Sequence, residues 1–296
     1  MVQVPSSAPR HLSLAPARVD AVRATLVDAF TALVQHTAEL RRGSMDPEEI
    51  HDARVAARRF RSHAVSLSSV LDLDAIASEL DELARLARAL GAVRDLDVLL
   101  DDLRAEAGEL PEGLGPAVGL ILERFGDDRA RAMDELLRRL AGSENVRLLV
   151  ALGSIAAAPP LLVPEHEPDP AIVMTSVWKA LSRRARRAAS SPTDDALHAL
   201  RIRAKRARYA AEALEPFIGA RAARFARSAA RLQDVLGRHQ DAVVAIDKLT
   251  AVAGRSPELG FAAGWMSASR ARVRAETRAA WPATWRSLAK KERRFW

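Results

Sequence analysis

The chain has 296 residues, of which 49% are hydrophobic and 28% charged, so it can bury a large core and has the composition of a globular protein. Lysine and arginine outnumber aspartate and glutamate by 45 to 38, and the net charge of +7 predicts attraction to polyanions such as nucleic acid, polyphosphate or an anionic membrane surface. The absence of cysteine excludes disulfides, zinc–thiolate sites and cysteine nucleophiles.

The N-terminal segment is polar and contains proline and serine, and we expect residues 1–11 to be disordered. It has no apolar core of the kind found in signal peptides. No uncharged apolar stretch approaches the length needed to span a bilayer. We therefore expect a soluble cytoplasmic protein without a membrane partner.

Apolar residues recur at helical spacing along almost the whole chain, which predicts an all-α protein. Asp46 as an N-cap, followed by Pro47 and two acids, marks one helix start. The helices predicted in the first half cover residues 16–42, 47–70, 73–107 and 116–140, with a shorter piece at 144–152. In the second half they cover residues 171–190, 193–217, 220–253 and 258–280, with a last helix from 282.

Five prolines between residues 156 and 170 form the strongest break in the helical pattern. We therefore predict a first half at 12–155, a proline-rich linker at 156–170 and a second half at 171–296. Each half is expected to contain about four main helices.

Two motifs occur twice at nearly the same interval, which indicates an internal duplication. The first is His51-x-x-Arg54-x-x-x-Arg58-Arg59-x-Arg61, repeated 147 residues later as His198-x-x-Arg201-x-x-x-Lys205-Arg206-x-Arg208. The second is Leu90-Gly91-x-x-x-Asp95, repeated 146 residues later as Leu236-Gly237-x-x-x-Asp241.

The basic residues of the first motif share one helical face. At 100° per residue, a sector of about 80° contains His51, Arg54, Arg58 and Arg61 on one helix, and His198, Arg201, Lys205 and Arg208 on the other. Like charges on successive turns repel by a few tenths of a kcal/mol per pair. We therefore favour an anion against each stripe over the alternative, a solvated basic face. Arg59 and Arg206 lie beside the stripes.

The second motif is predicted to be structural. A glycine within a helical pattern marks a kink or a close backbone approach, here at Gly91 and Gly237. The aspartates Asp95 and Asp241 are placed to hold an arginine of the stripe in position.

These motifs resemble those of the CHAD family (conserved histidine α-helical domain). The matching residues are the two histidine motifs, Leu90-Gly91-x-x-Arg94-Asp95-x-Asp97-Val98 with its second copy, and the terminal Phe295-Trp296, and the similarity runs from about residue 12 to the C-terminus. The resemblance implies two helical bundles related by a pseudo-two-fold axis, with a basic surface or channel. It also implies binding of inorganic polyphosphate and association with polyphosphate granules. The implied ligand residues are His51, Arg54, Arg58, Arg59, Arg61, His198, Arg201, Lys205, Arg206 and Arg208.

The second copy departs from the family pattern. Gln240 stands where Arg94 stands in the first copy, Val243 replaces Asp97, and Lys205 replaces an arginine. These differences predict unequal binding strength in the two halves.

Other basic residues extend the candidate phosphate-contacting surface. They are Arg85, Arg88, Arg94, Arg224, Arg227, Arg231, Arg238, Arg270 and Arg274. Aromatic residues make up only 4% of the chain, so stacking platforms for nucleic-acid bases are not apparent.

Two alternatives to polyphosphate binding remain. A nucleic-acid-binding protein would use the same basic surface, although helix-turn-helix and zinc signatures are lacking. A phosphate-processing or metal-dependent enzyme would use His51 and His198, but arginines beside them repel a cation, and phosphoryl transfer needs clustered carboxylates around a metal. We expect a non-catalytic protein without cofactor or metal.

Overall fold

The computed structural model describes residues 16–107, 111, 113–162, 169–254 and 256–290. These residues form nine α-helices and one 3-10 helix: α1 Pro16–Arg41, α2 Pro47–Ser66, the 3-10 helix Asp74–Ile76, α3 Ala77–Ala107, α4 Gly115–Ala141, α5 Ser143–Ala157, α6 Pro170–Ser190, α7 Asp194–Ile218, α8 Ala220–Ala253 and α9 Pro257–Ala289. The all-α prediction is confirmed. None of these helices is both long enough and apolar enough to cross a membrane. Residues 1–11, the linker residues 163–168 and Phe295-Trp296 lie outside the described residues.

Side-chain caps set the starts of the helices that matter most below. Asp46 accepts a hydrogen bond from the backbone N–H of Glu48 at 2.9 Å, and Pro47 opens α2. Thr193 accepts one from the backbone N–H of Ala196 at 3.2 Å at the start of α7. Each cap satisfies an N–H group that the first turn of a helix leaves free.

Helix α2 ends earlier than the sequence pattern predicts. It stops at Ser66 instead of residue 70, because the following residues join a short antiparallel bridge between Leu71 and Leu161. The backbone N–H of Asp72 donates to the carbonyl of Pro160 at 2.8 Å. The bridge ties the end of α2 to the segment that follows α5.

The separate last helix predicted from residue 282 is wrong. Pro282 lies inside α9, which continues to Ala289. A proline in a helix removes one backbone hydrogen bond. Trp281 and Leu288, on either side of it, are both buried in one apolar cluster with α6, α7 and α8, so tertiary packing keeps the helix continuous. The prediction of about four helices per half fits α6–α9, whereas α1–α5 precede the proline-rich segment.

Three apolar clusters hold the helices together. The first joins α1 to α5 and includes Ala213 of α7, and the second joins α6 to α9. The third combines Leu100 and Leu103 of α3 and Ile121 of α4 with Leu249 of α8 and Met266 of α9. The helices before and after the proline-rich segment therefore share buried apolar surface, while the division into two halves stays a prediction.

Helices α2 and α7 also pack against each other, and a buried histidine lies at their contact. His63 of α2 is 6% exposed, and its Nε2 lies 4.0 Å from Oε2 of Glu212 on α7. Burial, together with the neighbouring charge of Arg59, lowers the pKa of His63 to about 4. The fold therefore requires a neutral imidazole at this position.

Acidification should destabilise the fold through His63. The unfolded chain binds a proton near pH 6.5, whereas the folded protein resists it until about pH 4, so stability is complete above pH 6.5 and is lost as the pH falls towards 4. At about pH 5 the expected loss in the free energy of unfolding is about 2 kcal/mol. Urea unfolding across this range should show the loss in wild type and largely remove it in His63→Leu.

The matched control is His198→Leu, which changes an exposed histidine and should keep the wild-type pH dependence. A His63→Leu variant that loses as much stability on acidification as wild type would contradict the assignment.

Candidate functional site

Helices α2, α3, α7 and α8 border an open cleft of about 580 Å³. Both predicted stripes contribute to its wall: the basic lining residues are His51, Arg54 and Arg58 of α2, Arg94 of α3, His198, Arg201 and Lys205 of α7, and Arg238 of α8. The structure therefore brings six of the ten predicted ligand residues into one cleft. Four acids line it as well, namely Asp95, Asp102, Asp234 and Asp241.

The apolar faces of α2 and α7 orient these side chains. The buried residues of α2 next to the stripe are Ile50, Ala53 and Ala57, and those of α7 are Leu197, Leu200 and Ala204. In an α-helix, residues one position away from a buried one are turned by 100°, which puts the basic residues at the edge of the core. The stripes therefore border the cleft because the adjacent faces of the same helices are buried.

Asp95 and Gly91 fix the position of Arg54. The Arg54 Nη1 donates a hydrogen bond to Asp95 Oδ1 at 2.7 Å. A Cβ atom at Gly91 would lie 3.4 Å from the Arg54 guanidinium, so the glycine leaves room for that group against α3. At Gly237 of α8 a Cβ atom would lie 3.8 Å from Arg201 Nε, an equivalent approach. The expected structural role of the second motif is confirmed for Asp95.

Three cations of the cleft have no carboxylate partner within the described part of the chain. Arg58 donates from Nη2 to the Tyr209 hydroxyl at 3.3 Å, and its buried Nε has no hydrogen-bond acceptor. The buried Nε of Arg201 also lacks an acceptor, and Lys205 forms no ion pair there. Because a buried cation is costly unless it is paired, the cleft favours an anion.

The electrostatics of the cleft lead to the same conclusion. Burial, together with the charges of Arg201, Arg58 and Arg54, lowers the pKa of Lys205 to about 7. Burial and the charges of Arg58 and Arg54 also lower the pKa of Arg201. A bound anion would relieve this repulsion and raise both pKa values.

The two histidines have different neighbours. His198 Nδ1 and Gln240 Oε1 are 2.7 Å apart. In the first copy the charge of Arg94, the counterpart of Gln240, adds to burial in lowering the pKa of His51. Arg94 also lies 3.3 Å from Oε1 of Glu48. The change from Arg94 to Gln240 therefore replaces a cation beside one histidine with a hydrogen-bond partner for the other.

Four of the ten predicted ligand residues lie outside the cleft. Arg61 and Arg208 follow one turn after the last cleft residues of their helices, and Arg208 Nε donates to Glu212 Oε1 at 2.7 Å. Arg59 and Arg206 point to other sides of the same helices. Their use as phosphate ligands stays a prediction.

Most of the additional arginines also lie elsewhere. Arg94 and Arg238 line the cleft. Of the others, Arg88, Arg224, Arg227 and Arg231 are exposed outside it, and Arg85 pairs with Glu82 on its own helix.

Arg270 and Arg274 serve the fold. Arg270 is 7% exposed and pairs with Asp102 at 2.7 Å and with Glu106. Arg274 pairs with Asp194 at the start of α7. These long-range pairs join α9 to α3 and α7, and we leave both arginines out of the proposed binding surface.

Tyr209 is a contact that the sequence analysis did not identify. It is the only tyrosine in the chain, it is 4% exposed, and its hydroxyl accepts the hydrogen bond from Arg58. It lies four residues after Lys205, which puts the two on neighbouring turns of one face. This spacing of four residues was the signal in the sequence from which the position of Tyr209 near the stripe could have been predicted.

A model of the CHAD domain family matches residues 24–250, so the chain belongs to the CHAD-domain family. The crystal structure of the CHAD domain from the plant Ricinus communis is similar, with a TM-score of 0.71 and 25% identity over 96% of this chain and 98% of that one. PptA from Streptomyces chartreusis has the same fold, with a TM-score of 0.74 and 20% identity over 90% of this chain and 98% of that one.

Two Mycobacterium tuberculosis proteins, described as the uncharacterized proteins MT2285 and Rv2226, are each 32% identical over 217 residues, or 68% of this chain. The chain spans only 40% of the length of each.

Lys205 should titrate far below an ordinary lysine. We expect its amine, followed by NMR on the isotopically labelled protein, to titrate near pH 7 because of burial and the neighbouring arginines. Arg201→Gln should raise this pKa because it removes the strongest of those charges. Arg272→Gln, which makes an equal charge change at an exposed position of α9, should leave the pKa of Lys205 unchanged. A wild-type Lys205 that titrates like the other four lysines would contradict the geometry.

Proposed function

We propose that the protein binds inorganic polyphosphate in this cleft without catalysing a reaction. The observation that carries the proposal is that Arg58, Arg201 and Lys205, from two different helices, meet there without carboxylate partners in the described chain. Membership of the CHAD-domain family supports a polyphosphate-related role.

The residue types suit a chain of phosphates. A guanidinium group such as that of Arg58 can donate two parallel hydrogen bonds to the oxygens of a phosphate, and the opposite charges strengthen these bonds. Binding would also release the counterions that surround a polyanion. If roughly six phosphates are neutralised, the logarithm of the binding constant should fall with the logarithm of salt concentration with a slope of about −4, by analogy with single-stranded nucleic acid.

The lining of the cleft favours polyphosphate over single-stranded nucleic acid. Proteins that bind single strands stack the bases on aromatic side chains. None of the described residues that line the cleft is aromatic. The cleft offers contacts to phosphate but no stacking surface, so nucleic acid remains the second candidate on charge alone.

Several acids in and near the cleft are engaged with arginines, which supports binding over phosphoryl transfer, whereas Asp234 and Asp241 form no ion pair among the described residues. Asp95 pairs with Arg54, and the buried Asp97 pairs with Arg129. Asp102 is held by a third arginine, from α9. In the described parts of the chain no group of three His, Asp or Glu side chains is arranged to hold a metal ion.

The same affinity would bring the protein to polyphosphate granules in the cytoplasm. A granule presents many phosphate chains at once, so a protein with even one cleft would be concentrated there by mass action. Granule association therefore follows from the proposed binding and needs no separate targeting signal.

Removing cations from both helices should weaken polyphosphate binding. Arg58→Gln/Lys205→Gln removes one unpaired cation from each helix and leaves no acid without its partner. Each lost charge-assisted contact is worth about 1.5–3 kcal/mol, so we expect the loss of two to weaken binding by at least about 100-fold at constant salt. Fluorescence competition with long-chain polyphosphate, RNA and DNA measures affinity and preference together.

The matched control is Arg41→Gln/Arg272→Gln, which makes the same charge change at exposed positions outside the cleft. Equal losses in the two double variants would contradict the cleft assignment and indicate adhesion to a generally basic surface. Stronger competition by nucleic acid than by polyphosphate would favour the second candidate.

Polyphosphate affinity should depend on pH through Lys205. Below about pH 7 the amine is already charged in the free protein, so Lys205 should contribute little pH dependence there. Above that pH the bound polyanion favours the protonated amine, binding takes up a proton, and affinity should fall by up to about tenfold per pH unit. Lys205→Arg, which keeps its charge, should bind with a flat pH profile. A wild-type profile as flat as that of the variant would contradict the coupling.

A further inference from the structure

A second group of cations lies on α6 and α7, outside the cleft. We call it the outer arginine surface; it comprises Lys179, Arg183, Arg184 and Arg186 of α6 with Arg203 and Arg206 of α7. Lys179, Arg183 and Arg186 line a shallow groove of about 520 Å³. Arg203 lies close enough to Arg183, Arg184 and Arg206 for their charges to lower its pKa, in addition to the effect of burial. Because Arg183 belongs to both sets, the six residues form one continuous surface.

This surface points away from the cleft. At 100° per residue, Arg203 is turned by about 200° from Arg201, and Arg206 by about 100° from Lys205. Neither Arg203 nor Arg206 lines the cleft. The two groups of cations on α7 therefore face different directions and cannot be covered by one short ligand.

The outer arginine surface is not neutralised. Helix α6 contains five basic residues and no acid. Within the described residues, none of the six side chains forms an ion pair or hydrogen bond with a carboxylate. Lys179 and Arg183 are four residues apart on one helix, a spacing at which like charges destabilise the helix by a few tenths of a kcal/mol. The surface therefore carries unrelieved repulsion, as the cleft does.

The first half of the chain lacks this surface. Buried positions align the two helices, because Leu26, Leu33 and Leu40 of α1 lie 148 residues before Met174, Leu181 and Ala188 of α6.

Under this alignment the counterpart of Arg184 is His36, whose Nδ1 lies 2.6 Å from Glu49 Oε2. The counterpart of Glu49 is Ala196, 147 residues later. The counterpart of Arg203 at the same interval is Ala56. Apart from Arg59, the counterpart of Arg206, a paired and weakly charged face in the first half thus corresponds to an unpaired cationic face in the second.

We propose that the outer arginine surface is a second binding site for a segment of inorganic polyphosphate, so that one protein molecule can join two phosphate chains. This inference rests on the proposed function of the cleft. The charged groups on this surface are all cationic. Trp178 also lines the groove, but its ring is stacked on Trp285 at 5.4 Å between ring centroids and meets Phe225 edge-on at 6.2 Å. The surface therefore offers contacts to phosphate without a free stacking platform for bases. A chain held by the cleft also supplies phosphate at high effective concentration.

Arg183→Gln/Arg203→Gln tests the second site in the full-length chain. Calorimetry with a short oligophosphate should give two equivalents for wild type, and one for this variant. Because the sites are separate, the affinity of the remaining site should stay within about twofold of wild type. With long-chain polyphosphate, light scattering should show bridged assemblies for wild type and none for the variant. Arg41→Gln/Arg272→Gln makes the same charge change elsewhere and should bridge like wild type.

The outcomes separate this inference from the function of the cleft. Two equivalents and undiminished bridging in Arg183→Gln/Arg203→Gln would overturn the second site and leave the cleft assignment intact. Tighter binding of duplex DNA than of polyphosphate to the Arg58→Gln/Lys205→Gln variant would also overturn it, by assigning the outer arginine surface to nucleic acid. Retention of two full-affinity equivalents of oligophosphate by Arg58→Gln/Lys205→Gln would instead overturn the function proposed for the cleft, because loss of the cleft should leave one equivalent.

Discussion

Helices α2 and α7 present like charges to the same cleft, so the fold must hold them together against their mutual repulsion. Each pair of like charges on one helix costs a few tenths of a kcal/mol. The adjacent faces of these helices bury residues such as Ile50 and Leu200 completely, and each buried large aliphatic side chain contributes about 1.5–3 kcal/mol. The apolar clusters therefore outweigh the repulsion, and the positions of the cleft cations depend on them.

The distribution of acids decides which cations remain available to a ligand. Asp95 holds Arg54, and Asp97 and Asp102 hold arginines of α4 and α9. Arg58 and Lys205 are left without such partners in the described chain. If every cation were paired, the cleft would be neutral and could not attract a polyanion. Some acids thus position side chains, while unsatisfied cations in the middle of the cleft mark a site built for function and not for maximal stability.

The sequence predicted those features that depend on local periodicity. Helix positions followed from apolar spacing and caps, and a basic surface or channel between or across the two bundles was implied by the family resemblance. Features set by long-range packing were not predictable. Buried neighbours carry α9 through Pro282, and Arg270 faces inward because its partners come from α3, far away in the sequence. Arg208 is excluded from the cleft because its helix extends one turn beyond it.

Binding and stability are coupled in this architecture. In the free protein, repulsion around Lys205 opposes folding, and part of it is relieved by deprotonation, as the low pKa of that amine indicates. A bound polyanion relieves the same repulsion directly, and any ligand that binds only the folded state stabilises it. His63 sets the low-pH limit of stability. Its buried site disfavours a protonated imidazole, so acid destabilises the fold. The fold is therefore least stable at low pH. The cleft, in contrast, is fully cationic only when Lys205 is protonated. The two buried groups together confine tight binding by a stable fold to pH values near neutrality.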